Sequence, residues 1–302
     1  MNASMKQYMR VGLVHFMAYP FAASGEGDIL SSVRRVLEDD YFDAIELTTI
    51  KDPAVRKEVA KLTRESGVIP VYGGQPQLLR NKENLNALDP AARKSAVTRM
   101  KACIDEAYEL GSQGFGILSG PYEEARKEDG YRALADSVSE LCDYAKKGGD
   151  MPICLEVFDY DIEKCSLIGP APLAARFAAE LSAAHKNFGL MVDLSHIPQI
   201  HETIDENVDP VAKFIRHAHI GNAVLKPGAP AYGDQHPRFG FPDDENGVLE
   251  LARFLRKLID IGYLSEENPR IVSFEVKPWG DEDPEMVLAN AKRYLNWAWA
   301  LV

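Results

Sequence analysis

The feature that most limits the possible folds is the alternation of short apolar segments with longer amphipathic ones along all 302 residues. The strand-like segments are Val11–Phe16, Ala44–Leu47, Val68–Tyr72, Gly114–Leu118, Ile153–Val157, Phe188–Asp193, Ile215–Ile220 and Ile271–Val276. The helix-like segments lie near Ile29–Leu37, Ala54–Glu65, Ala91–Leu110, Arg132–Lys146, Pro172–Ala184, Asp209–Phe214, Val248–Ile261 and Pro284–Trp299. Strands that are each followed by a helix, eight times over, predict an α/β protein of the (β/α)8 TIM barrel type. A doubly wound sheet fits less well, because no Gly-rich phosphate loop follows the first strand.

The connection between the seventh strand and its helix is exceptionally long. No Ser/Gly-rich linker divides the chain, so we expect residues 1–302 to form a single barrel domain. Residues 222–246 are rich in Gly, Pro and aromatic residues, and a loop of this length at the carboxyl end of a strand is usually functional or disordered. Because Tyr232, Phe239 and Phe241 argue against disorder, we expect a folded flap over the active site.

Charge and cysteine content narrow the possible partners and compartment. The chain has 46 acidic and 34 basic residues, a net charge of −12, which disfavours nucleic acid as the main partner. Its four cysteines contain no C-x-x-C pair, which is typical of reduced thiols in a cytosolic protein. The sequence has neither the apolar stretch of a secretory signal nor one long enough to span a bilayer, so we expect a cytoplasmic protein without membrane contact.

Polar residues end four consecutive strands of the predicted barrel. They are Glu156 in CLEVF, Asp193 in MVDLSH, His219 in HAHIGN and Glu275 in SFEVKP. Active sites of these barrels lie at the carboxyl ends of the strands, so the four side chains should converge there. A single carboxylate at a strand end is commonly an ion-pair partner or a helix cap, but a set of four is harder to explain in that way. Three carboxylates and an imidazole suit one divalent cation, Mn foremost, with Mg, Co or Zn as alternatives.

The same residues resemble those of the xylose-isomerase-like barrels. The Glu of strand five, the Asp-x-x-His of strand six, the His-x-His of strand seven and the Glu of strand eight are similar to motifs of that superfamily, which includes ketose 3-epimerases, hydroxypyruvate isomerase, inosose dehydratase and endonuclease IV. The resemblance covers nearly the whole chain, from Gly12 to about Tyr294. Its motifs are specific to the superfamily and not to one activity.

The resemblance implies roles for individual residues. The metal ligands would be Glu156, Asp193, His219 and Glu275. As in the epimerases, Glu156 and Glu275 would also exchange the carbon-bound proton. His196 would bind a substrate hydroxyl or carbonyl oxygen, and Glu46 in AIELT would support the site.

The chain departs from the pattern of two branches of the superfamily. Epimerases tend to place an Asp and a substrate-holding Arg after the histidine of strand seven, whereas this chain continues with Ile-Gly-Asn222. Arg238 or Lys226 would have to make that contact, unless each is only a surface charge. Endonuclease IV needs further histidines after strands three and four, which this chain lacks. Although Asp234-Gln-His236 resembles a late Asp-x-His pair of that enzyme, the acidic balance also argues against a nuclease.

Several other residues are candidates for catalysis or substrate binding. His236 lies in the predicted flap, where it would serve as a general acid or base or simply hydrogen-bond within the loop. Lys277 lies two residues beyond Glu275, where it would neutralise an enolate or pair with a ligand carboxylate.

Four further positions have a structural alternative that is at least as simple. His15 and His217 are candidates for support of the site or for the core. Trp279 and Phe158 would stack on a sugar face or pack the rim.

These features together predict a metal-dependent isomerase or epimerase that removes a proton next to the carbonyl of a sugar or keto-sugar and forms an enediolate. The alternative is a lyase that cleaves C- or O-linked 3-keto-glycosides by elimination, beside a small β-sheet partner subunit. The long aromatic loop and the missing epimerase arginine favour this bulkier substrate. A non-catalytic binding barrel is a third possibility. We expect a homo-oligomer or a hetero-oligomer with a small subunit.

Overall fold

Eight parallel strands close into a barrel in sequence order in a computed structural model that describes residues 3–302. The strands are β1 (Met9–Val14), β2 (Ala44–Leu47), β3 (Ile69–Gly73), β4 (Phe115–Leu118), β5 (Ile153–Glu156), β6 (Phe188–Asp193), β7 (Ile215–Gly221) and β8 (Arg270–Glu275). β8 pairs with β1, which places Val11 beside Val272 and leaves the sheet without an edge. The predicted (β/α)8 TIM barrel is therefore confirmed.

Helices surround this barrel. They are α1 (Met5–Tyr8), α2 (His15–Ala18), α3 (Ile29–Glu38), α4 (Pro53–Ser66), α5 (Gln75–Asn81), α6 (Pro90–Leu110), α7 (Lys127–Ala145), α8 (Ala171–Ala184), α9 (His196–Gln199), α10 (Ile204–Val211), α11 (Val248–Asp260) and α12 (Pro284–Trp299). Short 3-10 turns cover Pro20–Ser24, Glu124–Arg126 and Ala212–Phe214. The apolar faces of the helices and the buried strands form one continuous core.

Helix boundaries follow the local sequence. The carboxylates of Asp89 and Asp283 accept backbone N–H groups in the first turns of α6 and α12, and a proline stands at the first position of each helix. Gly111 ends α6 with a φ of 75°, in the left-handed region that glycine adopts without strain. The helices predicted near Ala91–Leu110 and Pro284–Trp299 therefore begin at Pro90 and Pro284.

Besides α7, which begins at Lys127 and not near Arg132, two elements differ from the sequence-based prediction by two residues or more. The helix predicted to begin at Asp209 begins at Ile204, because Thr203 and Glu206 form a reciprocal capping box that starts it earlier. The first strand ends at Val14, and His15 instead begins the short helix α2. This second difference matters for the site, because it changes the direction in which the imidazole of His15 points.

Residues 222–246 form a folded segment with a small apolar cluster of its own. Val224 makes isolated β-bridges to Tyr232 and Asp244. The side chains of Val224, Ala231 and Phe241 pack together, separately from the main core. The two ends of the segment are joined, since Asn222 Oδ1 accepts the backbone N–H of Asn246 at 2.9 Å.

The cysteines are free thiols, and the described helices do not suit a membrane span. Cys103, Cys142 and Cys154 are buried free thiols and Cys165 is an exposed one. Within residues 3–302, no helix combines the length and the apolar character that crossing a bilayer requires.

Candidate active site

A cavity of about 310 Å³ opens at the carboxyl ends of the strands. Its floor contains Glu156, His219 and Glu275, from β5, β7 and β8. Parallel strands in a barrel all deliver their last residues to the same end, so residues far apart in sequence meet here. The volume lies within the range of small-molecule sites.

Four polar side chains converge beneath the cavity. One donor atom from each of Glu156, Asp193, His219 and Glu275 lies within 4.8 Å of the others. All four residues are buried, the most exposed being Glu275 at 7%. The structure thus brings together the four residues that the sequence placed at the ends of strands five to eight.

The two oxygens of Glu156 have different surroundings. Gln75, the first residue of α5, donates from Nε2 to Glu156 Oε2 at 2.8 Å. Glu156 Oε1 is buried and makes no hydrogen bond, although it lies 3.4 Å from His219 Nδ1. One oxygen is therefore held in place while the other faces the centre of the cluster.

Asp193 is fixed by the residue that follows it by two positions. Ser195 donates its backbone N–H to Asp193 Oδ1 at 2.8 Å and its hydroxyl to Asp193 Oδ2 at 2.6 Å. Burial opposes ionisation of Asp193, but His196, His236 and other neighbours hold its pKa below the usual value. The carboxylate is thus oriented and kept as an anion.

His219 lies between two carboxylates. Its Nδ1 is 2.6 Å from Glu275 Oε2, and its Nε2 is 3.0 Å from Glu46 Oε1. Burial raises the pKa of Glu275 to about 7, although His236 and His219 act in the opposite direction. Burial also disfavours the charge of Glu46, but the imidazoles of His217 and His219 hold its pKa well below the usual value. Glu46 supports the imidazoles of β7 from beneath and does not line the cavity.

A second group of side chains lies beside the first. The Nε2 atoms of His196 and His236 are 3.1 Å and 2.9 Å from the same oxygen, Asp234 Oδ1. His196 Nδ1 donates to the carbonyl of Val157 at 2.9 Å. Burial alone would lower the pKa of both imidazoles, but the surrounding carboxylates raise it to about 10 for His196 and about 9 for His236. Lys164 Nζ lies 2.6 Å from Asp234 Oδ2.

The first group fits a divalent cation. Buried carboxylates repel one another unless a positive charge lies between them. Glu156 Oε1 has no hydrogen-bond donor, and the donor set consists of hard oxygens and one imidazole nitrogen. Such a set suits Mn, Mg, Co or Zn.

Apolar side chains form the opposite side of the cavity. They come from the segment after β1 and from α5: Phe16, Met17, Pro20, Ala23, Pro76 and Leu79. Leu79 is 44% exposed there. Phe158 also lines the cavity, with its ring centroid 4.3 Å from that of His196.

The structure brings some of the other predicted residues to the cavity and not others. Lys277 and His236 line it, and the backbone N–H of Lys277 donates to the carbonyl of His236 at 2.7 Å. Among the described residues, no carboxylate lies within ion-pair distance of the Lys277 ammonium, so the expected salt bridge to a ligand carboxylate is not formed.

Two candidates for substrate binding and one for support of the site or for the core lie outside the cavity. Arg238 pairs with Glu282 at 2.9 Å. Trp279 packs against Phe241, with ring centroids 6.2 Å apart. His15 is buried with its Nε2 2.8 Å from Ser32 Oγ, because α2 turns it away from the strand ends.

Sequence reasoning assigned no role to four residues that shape the site. Gln75 and Ser195 hold two of the carboxylates, while Asp234 and Lys164 lie against the histidine pair. Ser195 stands inside the MVDLSH motif, where a serine two residues after an aspartate is a signal for a local hydrogen bond. No local signal marks Lys164, since its role depends on a loop 70 residues away.

Comparisons with known proteins agree with this architecture. The sequence matches the family described as xylose isomerase-like TIM barrel over residues 35–295. No curated protein matches the chain at the level of sequence.

Solved structures resemble the whole chain at low sequence identity. D-Psicose 3-epimerase with D-tagatose from Clostridium cellulolyticum H10 has a TM-score of 0.71 and 20% identity, over 97% of this chain and 99% of that one. The IOLI protein with a binding zinc atom has a TM-score of 0.74 and 18% identity, over 97% of this chain and 99% of that one. The 3-keto-D-glucoside 4-epimerase of E. coli has a TM-score of 0.65 and 14% identity, again over 97% and 99%. With the family match covering most of its length, the chain belongs to the xylose isomerase-like TIM barrels.

Proposed function

We propose that the protein is a divalent-metal-dependent sugar or keto-sugar epimerase or isomerase. The observation that carries the proposal is the convergence of Glu156, Asp193, His219 and Glu275 to within 4.8 Å at the floor of a small-molecule cavity. These four residues would hold the cation, and Glu156 Oε1 is free to face it. The sugar epimerases among the structural neighbours support the choice of substrate class.

The two carboxylates Glu156 and Glu275 support a reaction by proton transfer. A divalent cation at this position would polarise the substrate carbonyl and stabilise negative charge on its oxygen. Glu156 takes the proton from the carbon next to the carbonyl, which leaves an enediolate. Glu275 returns a proton to the opposite face in an epimerisation, whereas return to the neighbouring carbon gives an isomerisation. His236 lines the cavity and would contact the substrate, whereas His196, which the sequence made a substrate-binding candidate, lies behind the lining with its Nδ1 on the carbonyl of Val157.

Deuterium incorporation tests the first step. The purified protein is incubated in heavy water with free ketoses and, separately, with 3-keto-glycosides, and the substrates are analysed by NMR. We expect deuterium at the carbon next to the carbonyl of at least one substrate. If every compound keeps its protons and its configuration, proton abstraction is not the activity of this site.

Metal content tests the ligand set independently of any substrate. We expect about one equivalent of a divalent metal in the wild-type protein and much less in Asp193→Asn, because an amide is a weaker ligand than a carboxylate. Asp136→Asn on the exposed face of α7 serves as the matched control. Equal metal content in all three proteins would contradict the assignment.

A second function has one specific observation in its favour. The cavity lining includes the apolar side chains of Met17 and Leu79, which would contact an apolar aglycone. It fits a 3-keto-glycoside whose aglycone leaves by elimination after Glu156 removes the proton. In that reaction the C–O or C–C bond to the aglycone breaks, and His236 supplies the proton to the leaving group. Release of the aglycone from a 3-keto-glycoside, without epimer formation, would favour this lyase over the epimerase.

A further inference from the structure

The amide of Gln75 lies against the carboxylate of Glu156, 81 residues further along the chain. Gln75 is the first residue of α5, lines the cavity and is only 7% exposed. Its Nε2 donates to Glu156 Oε2 at 2.8 Å and lies 3.8 Å from Met191 Sδ, a weak acceptor. Because the oxygens of an ionised carboxylate only accept hydrogen bonds, the NH2 group of the amide has to face Glu156. This contact therefore sets the orientation of the amide.

Two glycines in neighbouring strands leave the space that the amide fills. A Cβ atom at Gly116 of β4 would lie 2.7 Å from Gln75 Nε2 and 2.9 Å from its Oε1. A Cβ atom at Gly73 of β3 would lie 3.1 Å from the same Oε1. The backbone N–H of Gly74 donates to the carbonyl of Gly116 at 2.9 Å, which ties the start of α5 to β4. The amide is thus packed closely against the backbone of two strands and has little room to turn.

The contact with Gln75 distinguishes the two oxygens of Glu156. Within residues 3–302, the only hydrogen bond to this carboxylate comes from Gln75 and reaches Oε2. Oε1 is buried without a donor, and it lies 3.4 Å from the Nδ1 atom of His219 in the candidate ligand group. A carboxylate can bind a cation through one oxygen or through both. Since the amide engages Oε2, Oε1 is the oxygen that remains for a cation.

We propose that Gln75 is a positioning residue for Glu156: its amide holds Oε2, presents Oε1 to the cation and fixes the carboxylate beside the substrate carbon. The inference deepens the proposed function and rests on it for the cation and for the reaction. Removing the outer partner of a metal ligand typically costs about 10- to 100-fold in metal affinity or activity. A displacement of the proton acceptor by about 1 Å is enough to slow a reaction about 100-fold.

Metal affinity tests the positioning without any substrate. Metal-free protein is titrated with Mn²⁺ in competition with a chelator. We expect weaker binding, by about 10- to 100-fold, in Gln75→Met, which keeps the side-chain length but loses the donor, and in Gly116→Ala, whose Cβ displaces the amide. The matched controls are Gln77→Met on the same helix and Gly114→Ala, whose Cβ would meet only Val71 at 3.6 Å, and neither should weaken binding. Wild-type affinity in Gln75→Met would overturn the proposal, as would an equal loss in the two controls.

The visible spectrum of the Co²⁺-loaded protein separates positioning from a general loss of stability, because it reports the number and geometry of the ligand atoms. At saturating Co²⁺ we expect changed bands in Gln75→Met, since a freed Oε2 of Glu156 can join Oε1 on the cation. The spectrum of Gln77→Met should equal that of wild type. A wild-type spectrum in Gln75→Met would contradict the positioning role.

Kinetics in the heavy-water assay then test the link to the reaction. At saturating metal we expect Gln75→Met to lower kcat about 10- to 100-fold with less than about a threefold change in KM. The loss should fall on kcat, because the carboxylate still binds its cation but no longer stands in the right place to take the proton. A wild-type kcat would overturn the role of Gln75 in the reaction.

The failure of this inference and the failure of the proposed function give different results. If the wild-type protein binds no divalent metal, the proposed function fails and the inference falls with it. If it binds the metal but exchanges no proton, the proposed reaction fails, while affinity and spectrum still decide whether Gln75 positions Glu156. If wild type does both and Gln75→Met matches it, only the inference is wrong. Should Gln75→Met fail to fold, Gly116→Ala gives the same three tests, because it leaves Gln75 and Glu156 chemically intact.

Discussion

The two halves of the barrel mouth differ in chemistry. Strands β5 to β8 end in the carboxylates and imidazoles of the candidate metal site, whereas the segments after β1 and β3 contribute mainly apolar side chains such as Phe16, Met17 and Leu79. The difference separates two tasks. One half carries the groups that would move protons, and the other offers a surface for the body of the substrate.

Histidines show the same contrast at the level of single groups. His15, beside the apolar half, has its pKa lowered to about 3 by burial. His196, in the charged half, is equally buried, but the carboxylates around it raise its pKa to about 10. Burial alone therefore does not decide the charge of an imidazole here, since nearby carboxylates outweigh it.

The largest expected effect comes from neutralising a carboxylate in the charged half. Glu156→Gln and Glu275→Gln should each slow deuterium exchange about 10²- to 10⁴-fold, because each removes a group that transfers a proton. Glu180→Gln on the exposed face of α8 is the control and should exchange at the wild-type rate. If Glu156→Gln and Glu275→Gln both keep an exchange rate within about threefold of wild type, the charged half of the mouth does not carry the proton transfer.

The buried neutral imidazole of the apolar half should affect stability at mildly acidic pH. Unfolded His15 binds a proton near pH 6.5, but folded His15 does so only near pH 3, so its contribution to stability falls as the pH drops below 6.5. Between pH 7 and pH 5 the loss should be about 2 kcal/mol. In urea unfolding, the free-energy difference between wild type and His15→Gln should shrink by this amount. The exposed His201→Gln is the control, and a pH-independent difference for His15→Gln would refute the expectation.

A smaller effect is expected from the apolar surface. Leu79→Ser removes a side chain that is 44% exposed in the cavity, and losing its contact with substrate should cost about 1 kcal/mol, or about a fivefold rise in KM. Leu249→Ser is a matched control, because Leu249 is 58% exposed on α11, away from this cavity. An unchanged KM for Leu79→Ser would mean that the apolar half does not contact the substrate.

The smallest effect is expected for Arg238, which sequence alone made a candidate for substrate binding. Its ion pair with Glu282 is partly exposed, so Arg238→Met should change the free energy of unfolding by at most about 1 kcal/mol. Its KM should stay within about twofold of wild type, because the guanidinium lies outside the cavity. A tenfold rise in KM would show that Arg238 reaches the substrate after all.

The sequence predicted the parts of the structure that depend on strand periodicity. Glu156, Asp193, His219 and Glu275 were found because each ends an apolar run, and the barrel forces such positions together. The placement of His217 and His219 on one face also follows from the two-residue period of a strand, and both contact Glu46.

Loop positions were less predictable, because no periodicity relates a loop side chain to the site. His236 and Arg238 are two residues apart, yet one faces the cavity and the other pairs with Glu282. His15 turned away because the strand ended two residues earlier than expected. Gln75 and Lys164 act through partners distant in sequence, which a single chain without its fold does not reveal.

The 222–246 segment is attached to the barrel at its ends and through the side chain of Phe239. Its ends are held together by Asn222 and Asn246, and Asn246 Nδ2 also donates to the barrel carbonyl of Leu194 at 3.1 Å. Val224, Ala231 and Phe241 form a cluster of their own, whereas Phe239 packs in the main core against Tyr294. Residues of the small cluster can therefore vary without disturbing the eight strands whose ends carry the candidate ligands.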